Sequence, residues 1–138
     1  MRVLGIDFGR ARIGVAVGET SGHVASPRSP IAPTGTLKRD AAMIADLARQ
    51  EEARTVVLGV PYHEEDMRME RICLMLADHI RALGLNVETV DESLSSVEAN
   101  QNLAEMGFKA AARRKRIDSE AACGILERYF LQCEPGNL

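Results

Sequence analysis

Apolar positions along this 138-residue chain change their period repeatedly, and each change marks a different kind of element. "RVLGIDF" at 2–8 and the run at 12–18 are short apolar stretches around Gly9, Arg10 and Ala11, and both read as buried β-strands. A third extended run, within "HVASPRSPI", contains Pro27 and Pro30, which cannot donate to a strand ladder, so it is expected at a sheet edge. These three runs predict an antiparallel meander. The period then becomes helical at Leu37, Ala41, Ile44, Ala45 and Ala48, and "TVVLGV" follows as a short apolar strand. Met69, Ile72, Cys73, Leu76, Ile80 and Leu83 form the stripe of a second helix, closed by Gly84, and a strand at 85–90 comes next. "SSVE" at 95–98 has the form of a capping box opening a helix that stops near Gly107, and a last helix is expected from about Ile117 to Leu131. Helices alternating with the later strands imply parallel crossovers. The predicted class is α/β: a mixed sheet of five strands, three in an antiparallel meander and two parallel, with helices on both faces. No repeat or long linker interrupts residues 1–138, which are expected to form one domain.

Composition narrows the function. A hydrophobic content of 46% against 27% charged excludes wholesale disorder. No run approaches the roughly 18 apolar residues of a membrane span, and the N-terminus lacks the basic and apolar regions of a signal peptide, so a cytoplasmic protein without a membrane partner is expected. Cys73, Cys123 and Cys133 lack the spacing of a zinc site and read as reduced thiols. A net charge of −3 argues against a strongly basic nucleic-acid binder. "KAAARRKR" at 109–116 is the local exception, with Lys109, Arg113, Arg114, Lys115 and Arg116 and no acid among them. Aromatic content of 4% gives little support for extensive base stacking.

Candidate chemistry lies in the acids. In the first strand Val3, Gly5, Asp7 and Gly9 share one face while Leu4, Ile6 and Phe8 share the other. A carboxylate in an otherwise buried strand is costly unless something offsets it. The flanking glycines would let a ligand approach the backbone, and the competing reading is an Asp that closes a turn on nearby amides. Asp118 begins the stripe formed by Ala121, Ala122, Ile125, Leu126, Tyr129 and Phe130, and its alternative is an acid capping the last helix. Asp91 and Glu92 end the strand at 85–90, where open α/β sheets place ligands. Glu98 is explained by the capping box. His79 reads as a boundary residue of its helix, and His23 and His63 lie in loops without an identifiable partner. Asp7, Glu92 and Asp118 come from three distant elements and could converge at one sheet edge. Converged carboxylates repel unless a divalent cation sits among them, and an oxygen-only ligand set suits Mg²⁺ or Mn²⁺. Two such ions about 4 Å apart are the standard device for in-line attack on a phosphodiester.

With "GIDFGRARIGVA" at 5–16, "VVLGVP" at 56–61, "VDESLSSVEA" at 90–99 and "KRIDSEAA" at 115–122 in this order, the chain resembles the YqgF/RuvX family of RNase H-like nucleases. The resemblance implies an RNase H-like fold and metal-dependent endonuclease action on structured RNA, in maturation of the 5′ end of the 16S rRNA precursor. It also implies Asp7, Glu92 and Asp118 as catalytic residues and metal ligands. Arg10, Arg12, Lys109 and the 113–116 run would then hold phosphates. Ser93 stands where the family usually has an arginine, and "YHEEDMRME" after Pro61 is more acidic than is usual there. The alternatives are a Holliday-junction resolvase-like DNA nuclease, a non-catalytic nucleic-acid adaptor on a nuclease fold, and an actin-like ATPase domain, for which one domain of this size lacks a second lobe.

Overall fold

The computed structural model describes residues 1–62, 64–92 and 110–133, with the side chains of 110–118 outside that description. Its elements are β1 (Arg2–Phe8), β2 (Ile13–Glu19), β3 (Val24–Ile31), α1 (Leu37–Gln50), β4 (Thr55–Val60), α2 (Arg68–Ala82), β5 (Asn86–Asp91) and α3 (Ala110–Cys133). The strands form one sheet in the order β3-β2-β1-β4-β5. β1 pairs antiparallel with β2 from Arg2↔Glu19 to Phe8↔Ile13, and β3 continues the meander on the far side of β2. β4 lies parallel to β1, and β5 parallel to β4. The predicted mixed sheet, with its proline-bearing strand at an edge, is the one observed.

Strand alternation sorts the side chains into two cores. Leu4, Ile6 and Phe8 meet Ile44, Leu76 and Ile80 in the layer formed with α1 and α2. Val3, Ala16 and Val57 meet Ala122, Ile125, Leu126 and Phe130 of α3 on the other face. Asp7 therefore belongs to the α3 face by parity, and Glu92, two residues beyond Val90 of the same core, does as well.

Local chemistry sets the element ends. Thr36 caps α1 by accepting from the Arg39 N–H at 3.4 Å. Buried Asp40 ties the incoming chain to that helix by accepting from the Thr34 N–H at 2.7 Å and its hydroxyl at 2.8 Å. Gly84, at φ +93°, ends the α2 region as its position after the apolar stripe predicts.

Two expectations change. α3 begins at Ala110 rather than near Ile117, because the alanines, arginines and lysine of 110–116 are strong helix formers with no breaker among them. Asp118 consequently lies inside the helix and does not cap it. The "SSVE" capping box with Glu98, the helix expected to stop near Gly107, Lys109 and His63 lie outside the described residues. Among the described residues, no helix is long and apolar enough to cross a membrane.

Candidate active site

Three parallel strands end side by side, and their ends bring two of the predicted acids together. Asp7 stands opposite Gly14 near the end of β1, held in the strand ladder and not in a turn. Glu92 follows β5, its backbone N–H donating to the Val60 carbonyl at 3.3 Å. The carboxyl of Glu92 is hydrogen-bonded to Asp7. Burial pushes the Glu92 carboxyl up to about 9, and the hydrogen bond and negative charge of Asp7, then the charge of Glu64, act in the same direction, opposed by Arg128. Burial and the neighbouring acid thus both favour the protonated form of Glu92.

Glycine makes room for this contact. A Cβ at Gly59 of β4 would lie 2.9 Å from Glu92 Oε2 and would also meet Ile125 Cδ1. The glycines of β1 act otherwise than expected. A Cβ at Gly5 would stand 2.6 Å from Leu126 Cγ and 2.9 Å from the Ala122 carbonyl, so the glycine admits α3 and no ligand. Gly9 closes the β1–β2 turn, its N–H donating to the Arg12 carbonyl at 2.9 Å, with no space for a Cβ beneath that same oxygen.

Ser119 is a positioning residue that local sequence does not reveal. Between Ile13 and Val15 the β2–β3 register slips from Ile31 to Arg28, a bulge that takes an extra residue on β3. Fully buried Ser119 bridges the gap: its Oγ accepts from the Val15 N–H at 3.3 Å and donates to the Arg28 carbonyl. That bridge fastens α3 to the sheet one residue after Asp118. The Asp118 side chain itself lies outside the described residues, as do those of Arg113, Arg114, Lys115 and Arg116.

The cations of the site differ in place. Arg10 and Arg12 are exposed on the β1–β2 turn, and the charge of Arg10 reaches Asp66 in the acidic loop. Asp66 is otherwise occupied locally, accepting from the Arg68 N–H at 3.0 Å and pairing with its guanidinium at the start of α2. Arg128 of α3 donates to the Asp91 carbonyl and sets its charge beside Glu92. Ser93, in the position where an arginine was expected, is outside the described residues, so Arg128 is the guanidinium seen to act on this carboxylate. The thiol of buried Cys73 is raised to about 12 by burial, then by Glu92 and Asp7, which keeps it neutral and poorly suited as nucleophile or ligand. All three cysteines are free, as expected. His23, without a partner in the sequence reading, stacks on Phe130 with ring centroids 5.6 Å apart.

The donor set tests directly whether a cation fits. Two carboxylates in contact, partly buried and under a third negative charge from Glu64, form a hard oxygen site whose repulsion a divalent ion would relieve. Asp7 and Glu92 would hold it from the described residues.

Comparison with known proteins places this arrangement. The model of the family described as "RuvX: Holliday junction resolvase" matches residues 1–132. A relative from Anaeromyxobacter sp. (strain Fw109-5), bearing the name "Putative pre-16S rRNA nuclease", is 40% identical over 133 residues, covering 94% of this chain and 96% of its own. A relative of the same name from Methylobacillus flagellatus is 37% identical over 131 residues, covering 93% and 89%. Among solved structures, Thermus thermophilus RuvC in complex with a Holliday junction substrate superposes with a TM-score of 0.62 at 18% identity, covering 99% of this chain and 98% of that one. The fowlpox virus Holliday junction resolvase reaches 0.55 at 14% identity, covering 96% and 98%. At such identities the two structures speak for the fold, which is RNase H-like.

Proposed function

The chain belongs to the RuvX Holliday junction resolvase family, and from that premise we propose that it is a metal-dependent endonuclease acting on structured RNA, trimming the 5′ end of the 16S rRNA precursor. The observation that carries this reading is the meeting of Asp7 and Glu92 at the ends of β1 and β5. Residues 1–138 then work as one nuclease domain in the cytoplasm, where ribosomes are assembled.

Asp7, Glu92 and Asp118 are the ligands in this proposal, and Mg²⁺ or Mn²⁺ the ion their oxygens suit. When bound, the ion supplies Lewis acidity at the phosphate and activates water for attack. Glu92 holds a proton against Asp7 and must release it before both carboxylates can bind a cation. Arg128 favours that release, since its charge opposes the upward shift of Glu92. Ser119 anchors the helix that carries Asp118. Arg10, Arg12, Lys109 and the 113–116 run hold substrate phosphates without reading bases.

Purified protein incubated with labelled precursor rRNA and with a four-way DNA junction, each in Mg²⁺, Mn²⁺ or EDTA, tests the reading. Divalent-dependent cleavage near the 5′ end of the precursor supports it. Preferential cutting of the junction would favour the resolvase alternative, and binding without cleavage in either metal would favour the adaptor.

A further inference from the structure

On the α1/α2 side of the same sheet edge lies a cavity of about 280 Å³ that the chemistry above does not use. Phe8, Pro33, Leu37 and Ile72 give it apolar walls, and Arg10 and Asp40 complete its charged lining. Arg10 is exposed on the β1–β2 turn, whereas Asp40 is 2% exposed within α1. Both hydrogen bonds that Asp40 accepts, from the N–H and the hydroxyl of Thr34, fall on Oδ1. Oδ2 therefore keeps acceptor capacity for a further donor. Gly35, at φ +94°, has open space where a Cβ would stand, so that side of the cavity carries no obstruction.

An apolar slot, an acceptor with spare capacity and a surface cation correspond to the three parts of a nucleotide: a flat base, an exocyclic N–H and a phosphate. We infer, resting on the nuclease reading, that this cavity receives one unstacked nucleobase of the substrate, an adenine or cytosine whose amino group donates to Asp40 Oδ2 while Arg10 holds the attached phosphate. The placement suits a nucleotide next to the one being cut. Phe8 directly follows Asp7 in β1, and alternation sends the two side chains to opposite faces, so base and scissile phosphate would straddle the strand end. Uracil offers a carbonyl where the amino group would be, and its nearest donor, N3–H, lies one ring position away from the carboxylate oxygen.

The experiment uses the full chain in EDTA, so that cleavage plays no part. Titration with AMP, CMP and UMP, followed by amide chemical shifts, should show AMP and CMP binding at least about tenfold tighter than UMP, the scale of one hydrogen bond to a charged group. The largest shifts should fall at Gly9, Gly35 and Ile72. Asp40→Asn keeps an oxygen for the two Thr34 donors and puts N–H₂ in place of Oδ2, so the preference should turn toward UMP. Ile72→Trp, which leaves the Thr34 contacts alone, should fill the cavity and weaken all three nucleotides. Equal affinities, shifts confined to other residues, or an unchanged preference in folded Asp40→Asn would overturn the assignment. Amino selectivity in a protein that cuts neither substrate would uphold the cavity and defeat the nuclease reading, and cleavage without selectivity would do the reverse.

Discussion

The two faces of the sheet are built from the same strands to opposite plans. Toward α1 and α2 the strands present Leu4, Ile6, Phe8, Val56, Leu58 and Val60, large side chains that fill the space between sheet and helices. Toward α3 they present Val3, Ala16 and Val57 with Gly5, Gly18 and Gly59, positions where an added Cβ would strike Leu126, Phe130 or Ile125. The first face gains stability from apolar volume. The second gives up volume so that one helix can lie close to the strands, and at its open end the space goes to Glu92. Chemistry and stability are thus separated by one residue of strand parity, and substitutions on the two faces should fail in different ways.

The sharpest break is in cleavage with the fold retained. Asp7→Asn and Glu92→Gln, both near-isosteric changes on the α3 face, should each lower kcat on precursor rRNA by about a hundredfold or more, since losing one ligand costs several kcal/mol of transition-state stabilisation. Thermal melts in EDTA should show each variant cooperatively folded. Near wild-type turnover by either variant would remove that residue from the site.

Stability should show the reverse contrast. Leu58→Ala, in the core toward α1 and α2, should cost about 2–5 kcal/mol in urea unfolding with the m-value preserved. Gly5→Ala adds a methyl against Leu126 and the Ala122 backbone, and overpacking of this kind costs about 1–3 kcal/mol. A Gly5→Ala protein as stable as the wild type would mean that α3 does not need the close approach.

Next comes the seam between the faces. Ser119→Ala leaves the Val15 N–H and the Arg28 carbonyl buried without their shared partner, at a cost of about 1–3 kcal/mol. If Ser119 also positions Asp118, kcat should fall while KM for RNA stays within about twofold, a split that general destabilisation would not give. Equal loss in both parameters would restrict Ser119 to stability.

What could be read in advance follows the range of the interaction. The parity of β1, the stripe of α2, the edge strand and Gly84 are all local patterns, visible in a window of a few residues. Asp7 and Glu92 could be nominated because a carboxylate at a strand end is conspicuous, and they meet as nominated. The partners of these two acids are long-range. Ser119 answers a register slip in strands 91 and 104 residues away, so nothing near it in the chain announces its role. Gly59 looks like any small strand residue until α3 and Glu92 close over it. Arg128 falls within a helix whose periodicity explains only its apolar neighbours, and its action on Glu92 needs β5 to end beside it. The space at Gly5 of β1 reads from the sequence as room for a ligand for the same reason, since its occupant, Leu126, comes from the last helix.

The smallest expected effect concerns how Arg128 biases the carboxylate pair. In EDTA the folded-state value of Glu92 lies above its ordinary 4.5, at about 9, so the folded protein binds a proton that the unfolded chain has released. The stability from that proton is fully present below pH 4.5 and is lost as pH rises through 9. Asp7→Asn removes the charge that raises Glu92 and gains an N–H₂ that can donate to its ionised form, so the loss should level off at a lower pH than in the wild type. Arg128→Gln removes the opposing influence found among the described residues, the weakest of those acting on Glu92, so the upper limit should move up, and by less than Asp7→Asn moves it down. Mg²⁺ should flatten all but the Asp7→Asn curve, because an ion bound to the ionised pair replaces the proton on Glu92. Urea midpoints from pH 4 to 10 in EDTA and in Mg²⁺ would measure these shifts for the three proteins. A limit that stays in place in Arg128→Gln would show that Arg128 serves only the Asp91 carbonyl, and the α3 face would then hold its two acids without a cation acting on them among the described residues.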